Sequence, residues 1–337
     1  MKAVVFPQIQ KFEIADIEIP EINDREVLIK NSFAGFCGTD FKIFNGDYVA
    51  RYPLIPGHEF SGIVEKVGKE VKGIKKGQRV AIEHTITCGN CYYCKRNEQN
   101  LCINRGSYGT TANGGFAEYS KVPESCIHIL SDNVSLKEAA LQEPLGCGIL
   151  GLEKINIRFG DKGLIFGIGP IGLIMLQLLN IRGVSSVTMV DIHEDKIAIG
   201  KKFGAGEVLI NDRDLSKKLK LISEYGFDIV IDATGIIAVI EQLFNFVNKN
   251  GRILFFGHPE HGKKISIDPF QIHKNDLSIY GSFSVKRNTA QALELLENKK
   301  INLEGIISHE FALTEFAQAF ELAKSGKFTK IMFNCSI

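Results

Sequence analysis

The sequence predicts an α/β protein in two domains: a barrel-like all-β domain and a doubly wound parallel sheet. Three observations carry that expectation. Up to about residue 140 the chain is rich in Gly and Pro between short β-prone runs. From about residue 146, apolar runs of strand length alternate with helical patterns, as a parallel sheet requires. Within that second part, Gly167-Ile168-Gly169-Pro170-Ile171-Gly172 stands between an expected strand and an expected helix. A length of 337 residues suits two domains.

In the first part, the β-prone runs at 26–30, 62–67, 79–83 and 116–122 read as strands. In the second, 163–166 reads as a strand and 170–182 as a helix ending before Gly183. Residues 187–190 form the next strand, and 194–203 a helix stopped by Gly204. Strands at 228–231 and 252–256 continue the sheet, with a helix over 236–248 between them, and 277–280 adds another strand. After about 285 come amphipathic helices near 289–297 and 314–325, then a strand at 330–333. This tail is expected to pack back on the first domain. The domains are therefore set at 1–145 with 285–337, and at 146–284.

Four of the eight cysteines, Cys88, Cys91, Cys94 and Cys102, fall within one short lobe spanning 84–103. Two consecutive C-x-x-C steps and a fourth thiolate can close a tetrahedron, the demand of a structural Zn²⁺ site. An iron–sulfur cluster is the rival, since four cysteines ligate it too. Scattered buried cysteines are the bland reading.

The glycine fingerprint has a mechanism. The first Gly permits the tight turn, the second lets backbone approach a pyrophosphate, and the third lets helix and strand pack closely. Asp191, about 20 residues on, sits where a ribose-binding acid is expected. Its carboxylate accepts from ribose hydroxyls and repels a 2′-phosphate, so NAD is favoured over NADP. His193 and Lys196 flank it and soften that preference.

Composition excludes other classes. The apolar fraction is 45%, the charged fraction 23% and the formal net charge +1, so no electrostatic case arises for nucleic acid or an anionic membrane. The longest apolar run, 168–179, is broken by Gly169, Pro170, Gly172 and Gln177, short of the roughly 20 residues of a membrane span. The first residues do not read as a signal peptide. Clustered thiols without one point to a reducing, cytoplasmic setting.

Three further pieces are bland singly: Cys37-Gly38-Thr39-Asp40, Gly57-His58-Glu59 and Glu143-Pro144. Together with the cysteine lobe and the glycine turn, in this order, they resemble the zinc-dependent medium-chain dehydrogenases over essentially the whole chain. The Glu143-Pro144 step is similar to the polyol, sorbitol-type branch.

The resemblance implies a GroES-like catalytic domain and a Rossmann coenzyme domain. It implies two zinc ions per chain, one catalytic on Cys37 and His58, with Glu59 and Glu143 competing for the remaining ligand role, and one structural in the lobe. It places Asp40 behind His58, makes Thr39 the group that takes the substrate's hydroxyl proton, and sets Thr234, Gly257, Ser282 and Phe283 beside the cofactor. A nucleotide fold with Cys37, His58 and Glu143 leaves an iron–sulfur cluster no use, so zinc is expected in the lobe as well. Cys126, Cys147 and Cys335 read as core. His84 points either toward substrate or into the packing of the lobe.

The expected activity is hydride transfer to NAD from a secondary alcohol of a polyol or sugar alcohol, phosphorylated or free, in a homodimer or homotetramer. The edge strand at 277–280 is the expected contact between subunits. Alternatives are a threonine 3-dehydrogenase, a simple alcohol dehydrogenase and a non-catalytic cofactor-binding scaffold. The chain departs from sorbitol-type relatives in having Phe41-Lys42-Ile43-Phe44 where a tyrosine is common, and Gly281-Ser282-Phe283-Ser284 where an arginine is common. Lys42, Lys286 and Arg287 are either anion-binding or solvated surface charges.

Overall fold

The computed structural model describes residues 1–336 and separates the chain into two compact units, Met1–Gly146 with Val285–Ile337, and Cys147–Ser284. No described helix is long and apolar enough to cross a membrane.

The first unit is built on a seven-stranded sheet. Its path runs Ile307–Ala312, Lys330–Asn334, Glu26–Gly35, Glu59–Val67, Arg79–Ile82 and Ile127–Ile129, with Tyr119–Pro123 also paired to Glu26–Gly35. The tail belongs here, because Lys330–Asn334 pairs antiparallel with Glu26–Gly35, Met332 opposite Gly35. The core is aromatic. Phe36, Phe116, Phe316 and Phe333 are at most 2% exposed, and Phe116 meets Phe333 edge-on at 5.0 Å between ring centroids. Such edge contacts contribute on the order of 1 kcal/mol each beyond area burial.

The second unit is a six-stranded parallel sheet. Its spatial order is Glu207–Ile210, Ser186–Asp191, Lys162–Phe166, Phe227–Asp232, Val247–Phe255 and Ser278–Gly281. Numbered along the chain this is 3-2-1-4-5-6, the Rossmann order, whose strands reverse direction of addition beside Lys162–Phe166. Leu164, Val230 and Ile253 are fully buried, consistent with a sheet covered on both faces.

Several elements depart from the sequence reading. The helix expected over 236–248 ends early: Ile237–Gln242 is α-helical, Leu243–Asn245 is a 3₁₀ turn, and a strand begins at Val247. Val247 pairs with Phe227, the chain loops out through Asn250 at φ +57°, and pairing resumes between Arg252 and Ile229. Tertiary pairing thus overrides a helical pattern. The strand expected at 116–122 starts only at Tyr119, because Phe116 turns its N–H to Pro56 O at 3.1 Å. Strands Glu207–Ile210 and Ile307–Ala312, and the helix Leu215–Ile222, were not among the elements expected from the sequence.

Candidate active site and metal centres

Cys37 caps the helix Gly38–Asn45, and its Sγ accepts the Thr39 N–H at 3.5 Å. The Thr39 hydroxyl lies 3.6 Å from the same sulfur. Asp40 closes the capping box by accepting the Cys37 N–H at 2.8 Å. His58 and Glu59 arrive from the adjacent strand, since Glu59 stands opposite Gly35 two residues before Cys37. One ligand atom each from Cys37, His58 and Glu59 lie within 4.8 Å of one another. Glu143 stands outside that trio, at the start of the helix Gln142–Lys154.

His58 and Glu59 are buried deeply enough that their charges need partners. His58 is 6% exposed and Glu59 1%. Lys330 supplies an ammonium 2.7 Å from Glu59 Oε1 and 2.6 Å from Oε2, itself 2% exposed. Asp40 Oδ1 lies 3.8 Å from His58 Nδ1, too far for a hydrogen bond. Burial pushes the His58 imidazole down, but the Cys37 thiolate, Asp40 and Glu143 outweigh it and hold His58 well above its ordinary value. Burial also raises Asp40, partly offset by His58. The mixed S, N and O donor set of Cys37, His58 and Glu59 fits a catalytic zinc that keeps one position open.

His84 joins this cluster. It is 3% exposed, its ring centroid is 5.7 Å from that of His58, and its Nε2 is 3.7 Å from Glu143 Oε1. Burial, the neighbouring His58 and Arg105 push its pKa well below the ordinary value.

In the lobe, the sulfur atoms of Cys88, Cys91, Cys94 and Cys102 all lie within 4.8 Å of one another. Cys88 and Cys102 sulfurs are 3.5 Å apart, close to the roughly 3.8 Å edge of a zinc–thiolate tetrahedron. Backbone N–H groups of Cys94 and Ile103 bring the Cys91 thiol down to about 6. Burial raises Cys94 to about 12 in the metal-free protein. Four convergent thiols with backbone N–H donors fit a closed metal site.

In the second unit the cofactor candidates collect at the carboxyl ends of the parallel strands, where open α/β sheets bind ligands. Gly167, at φ +102°, follows Lys162–Phe166, and Asp191 ends Ser186–Asp191. Thr234 follows Phe227–Asp232, Gly257 follows Val247–Phe255, and Ser282 and Phe283 follow Ser278–Gly281. Pro170 opens the helix Pro170–Ile181, and Lys196 opens Lys196–Lys202. A Cβ on Gly172 would overlap the Gly167 carbonyl oxygen, so only glycine allows this helix to approach the strand. The Asp191 carboxylate is braced by the N–H groups of Ile168 at 2.7 Å, Ile192 at 2.8 Å and His193 at 3.1 Å. Ile171 and Gly169 complete the turn, with Gly169 as N-cap.

Comparison with known proteins decides the family. Residues 23–132 match the alcohol dehydrogenase GroES-like domain, and residues 170–298 match the zinc-binding dehydrogenase domain. A D-arabinitol dehydrogenase of Uromyces fabae is 33% identical over 98% of this chain and 96% of its own. The chain belongs to the zinc-dependent medium-chain dehydrogenases. A D-arabitol-phosphate dehydrogenase of Enterococcus avium is 35% identical over 97% of this chain and 94% of its own. The solved zinc-binding dehydrogenase of Sinorhizobium meliloti, bound to NADP, superposes with a TM-score of 0.94 at 28% identity, covering 99% of this chain and 98% of that one. As a medium-chain dehydrogenase the protein is an oxidoreductase that works with zinc and a nicotinamide cofactor on a small-molecule alcohol.

Sequence reasoning missed Lys330 and Glu83. Glu83 is 1% exposed and accepts the Thr289 hydroxyl at 2.7 Å. Both partnerships join residues more than two hundred positions apart, and no local pattern signals them. Of the cations considered for anion binding, Lys286 is ion-paired with Glu98 at 2.9 Å. Arg287 is exposed, its guanidinium 3.5 Å from the Thr87 hydroxyl, and Lys42 is half-buried.

Proposed function

We propose that the protein oxidises a secondary alcohol of an unphosphorylated polyol to the ketone, with NAD as hydride acceptor. The observation that carries this is the convergence of half-buried Cys37 with buried His58 and Glu59 beside the Thr39 hydroxyl. Cys37, His58 and Glu59 hold the catalytic zinc; Glu143, outside the trio, handles the proton and water traffic next to it. Zinc, when bound, supplies the Lewis acidity that lowers the barrier to deprotonating the alcohol. Thr39 Oγ1 accepts the substrate's hydroxyl proton and passes its own toward solvent, and the surrounding apolar core excludes water. Hydride and proton leave the same carbinol group, so the products are ketone, NADH and one proton.

A neutral substrate is supported by the Lys286–Glu98 ion pair, which leaves that ammonium already neutralised. NAD is supported by the anionic Asp191 braced at the ribose end of the glycine turn. The two metal-competent clusters support two zinc ions per chain, one catalytic and one structural. The edge strand Ser278–Gly281 and the exposed Phe283 support a homo-oligomer joined through that edge.

The test is NADH production by zinc-loaded protein over a panel of pentitols, hexitols, their phosphates, threonine and simple alcohols. Turnover of a free polyol with kcat/KM at least about tenfold above its phosphate, and above that with NADP, is expected. Preference for the phosphate would overturn the neutral-substrate reading. Turnover of threonine alone would overturn the polyol reading. No turnover with any alcohol would leave the scaffold alternative.

A further inference from the structure

His84 is a buried imidazole that the reaction as described leaves without a task. It follows the strand Arg79–Ile82 and precedes the bridge strand Thr85–Ile86. Its backbone is fixed, since His84 O accepts the Tyr108 N–H at 3.0 Å. Its ring lies between two carboxylates: Nε2 is 3.7 Å from Glu143 Oε1, and Nδ1 is 3.9 Å from Glu83 Oε1. Glu83 is immobilised, because Oε2 accepts the Thr289 hydroxyl at 2.7 Å and Oε1 the Thr85 N–H at 3.1 Å. Glu143 sits at the start of its helix, whose neighbour Gln142 donates from Nε2 to Ile82 O at 2.9 Å. That bond ties the helix start to the strand leading into His84, so the gap between His84 and Glu143 is set by the fold.

A neutral imidazole carries one N–H and one acceptor nitrogen. His84 Nδ1 is buried with no hydrogen-bond partner. Glu83 already accepts two hydrogen bonds and lies farther from the ring, whereas Glu143 Oε1 lies 3.7 Å from Nε2, so the N–H belongs on Nε2; that contact is longer than a hydrogen bond and becomes one only when the loaded site closes the gap. We infer that His84 is a positioning residue: its Nε2–H holds the Glu143 carboxylate in the orientation that proton handling needs, and the Glu83–Thr289–Thr85 cluster walls the ring from behind. The inference rests on the reading of Glu143 as a proton-handling group. Loss of such orientation costs activity on the order of 10- to 100-fold without removing any group that touches substrate.

Two measurements test it. In the zinc-loaded protein labelled with ¹⁵N-histidine, long-range ¹H–¹⁵N correlation should show His84 as the Nε2–H tautomer, and Glu143→Ala should shift its Nε2 signal. An Nδ1–H tautomer, or a signal indifferent to Glu143→Ala, would overturn the assignment. This arm needs no turnover, so it decides the role of His84 even if no polyol proves to be a substrate. In kinetics with D-arabinitol as probe, His84→Leu should lower kcat about 10- to 100-fold at nearly constant KM. His84→Gln, which keeps a donor at similar reach, should recover most of it. His84→Leu added to Glu143→Ala should cost little more than Glu143→Ala alone. Additive losses, or failure of the glutamine variant with zinc and fold intact, would mean that the ring only packs.

Discussion

The most consequential single contact is the ion pair between Lys330 and Glu59, at 2.6–2.7 Å with both side chains at most 3% exposed. Burial alone would lower the lysine, yet Glu59, the Cys37 thiolate and Asp40 raise it, so the ammonium stays charged. A carboxylate between a cation on one side and a metal site on the other has its charge shared. Lys330→Met should therefore cost about 3–5 kcal/mol in the zinc-free protein, the usual penalty for orphaning a buried charge. In the zinc-loaded protein the loss should be visibly smaller, because a cation still faces Glu59. Urea unfolding of both forms checks this; equal losses would show that Glu59 does not face the metal.

At the scale of the element, the turn between Lys162–Phe166 and Pro170–Ile181 has the least tolerance. Gly167 holds φ +102°, and Gly172 has no room for a Cβ against the Gly167 carbonyl. Gly172→Ala must push the helix away from the strand and misplace the N–H groups that would meet a pyrophosphate. NADH affinity, followed by cofactor fluorescence, should fall at least about tenfold. The far-UV CD spectrum and zinc content should be unchanged. Intact affinity would show that the pyrophosphate is held elsewhere. This element was legible in the sequence because its requirement is local: three glycines at fixed spacing, a strand before and a helix after. The helix at 236–248 was misjudged for the opposite reason, since Val247 is claimed by pairing with Phe227 in a neighbouring strand.

For the whole molecule, the two metal-competent clusters predict two populations of zinc. The lobe offers four sulfurs and no open position, whereas Cys37, His58 and Glu59 leave one. Graded chelation should remove one zinc together with activity while the midpoint of thermal unfolding falls modestly. Removal of the second should bring a larger fall, because metal binding in the lobe is folding free energy. Metal analysis and calorimetry on the same samples check the order. Simultaneous loss of both ions would merge the two roles.

The sequence by itself determined what short-range spacing can encode. The thiols of Cys88, Cys91, Cys94 and Cys102 lie on one loop, and the glycine turn with Asp191 spans one strand–helix–strand unit, so separation along the chain already sets separation in space. Only the tertiary structure decided that Glu59 rather than Glu143 groups with Cys37 and His58, that Lys330 neutralises it across 271 positions, and that His84 lies between Glu83 and Glu143. Those outcomes depend on strand register and on where the tail joins the sheet. A one-residue slip in register would have turned Glu59 and Lys330 to the opposite face.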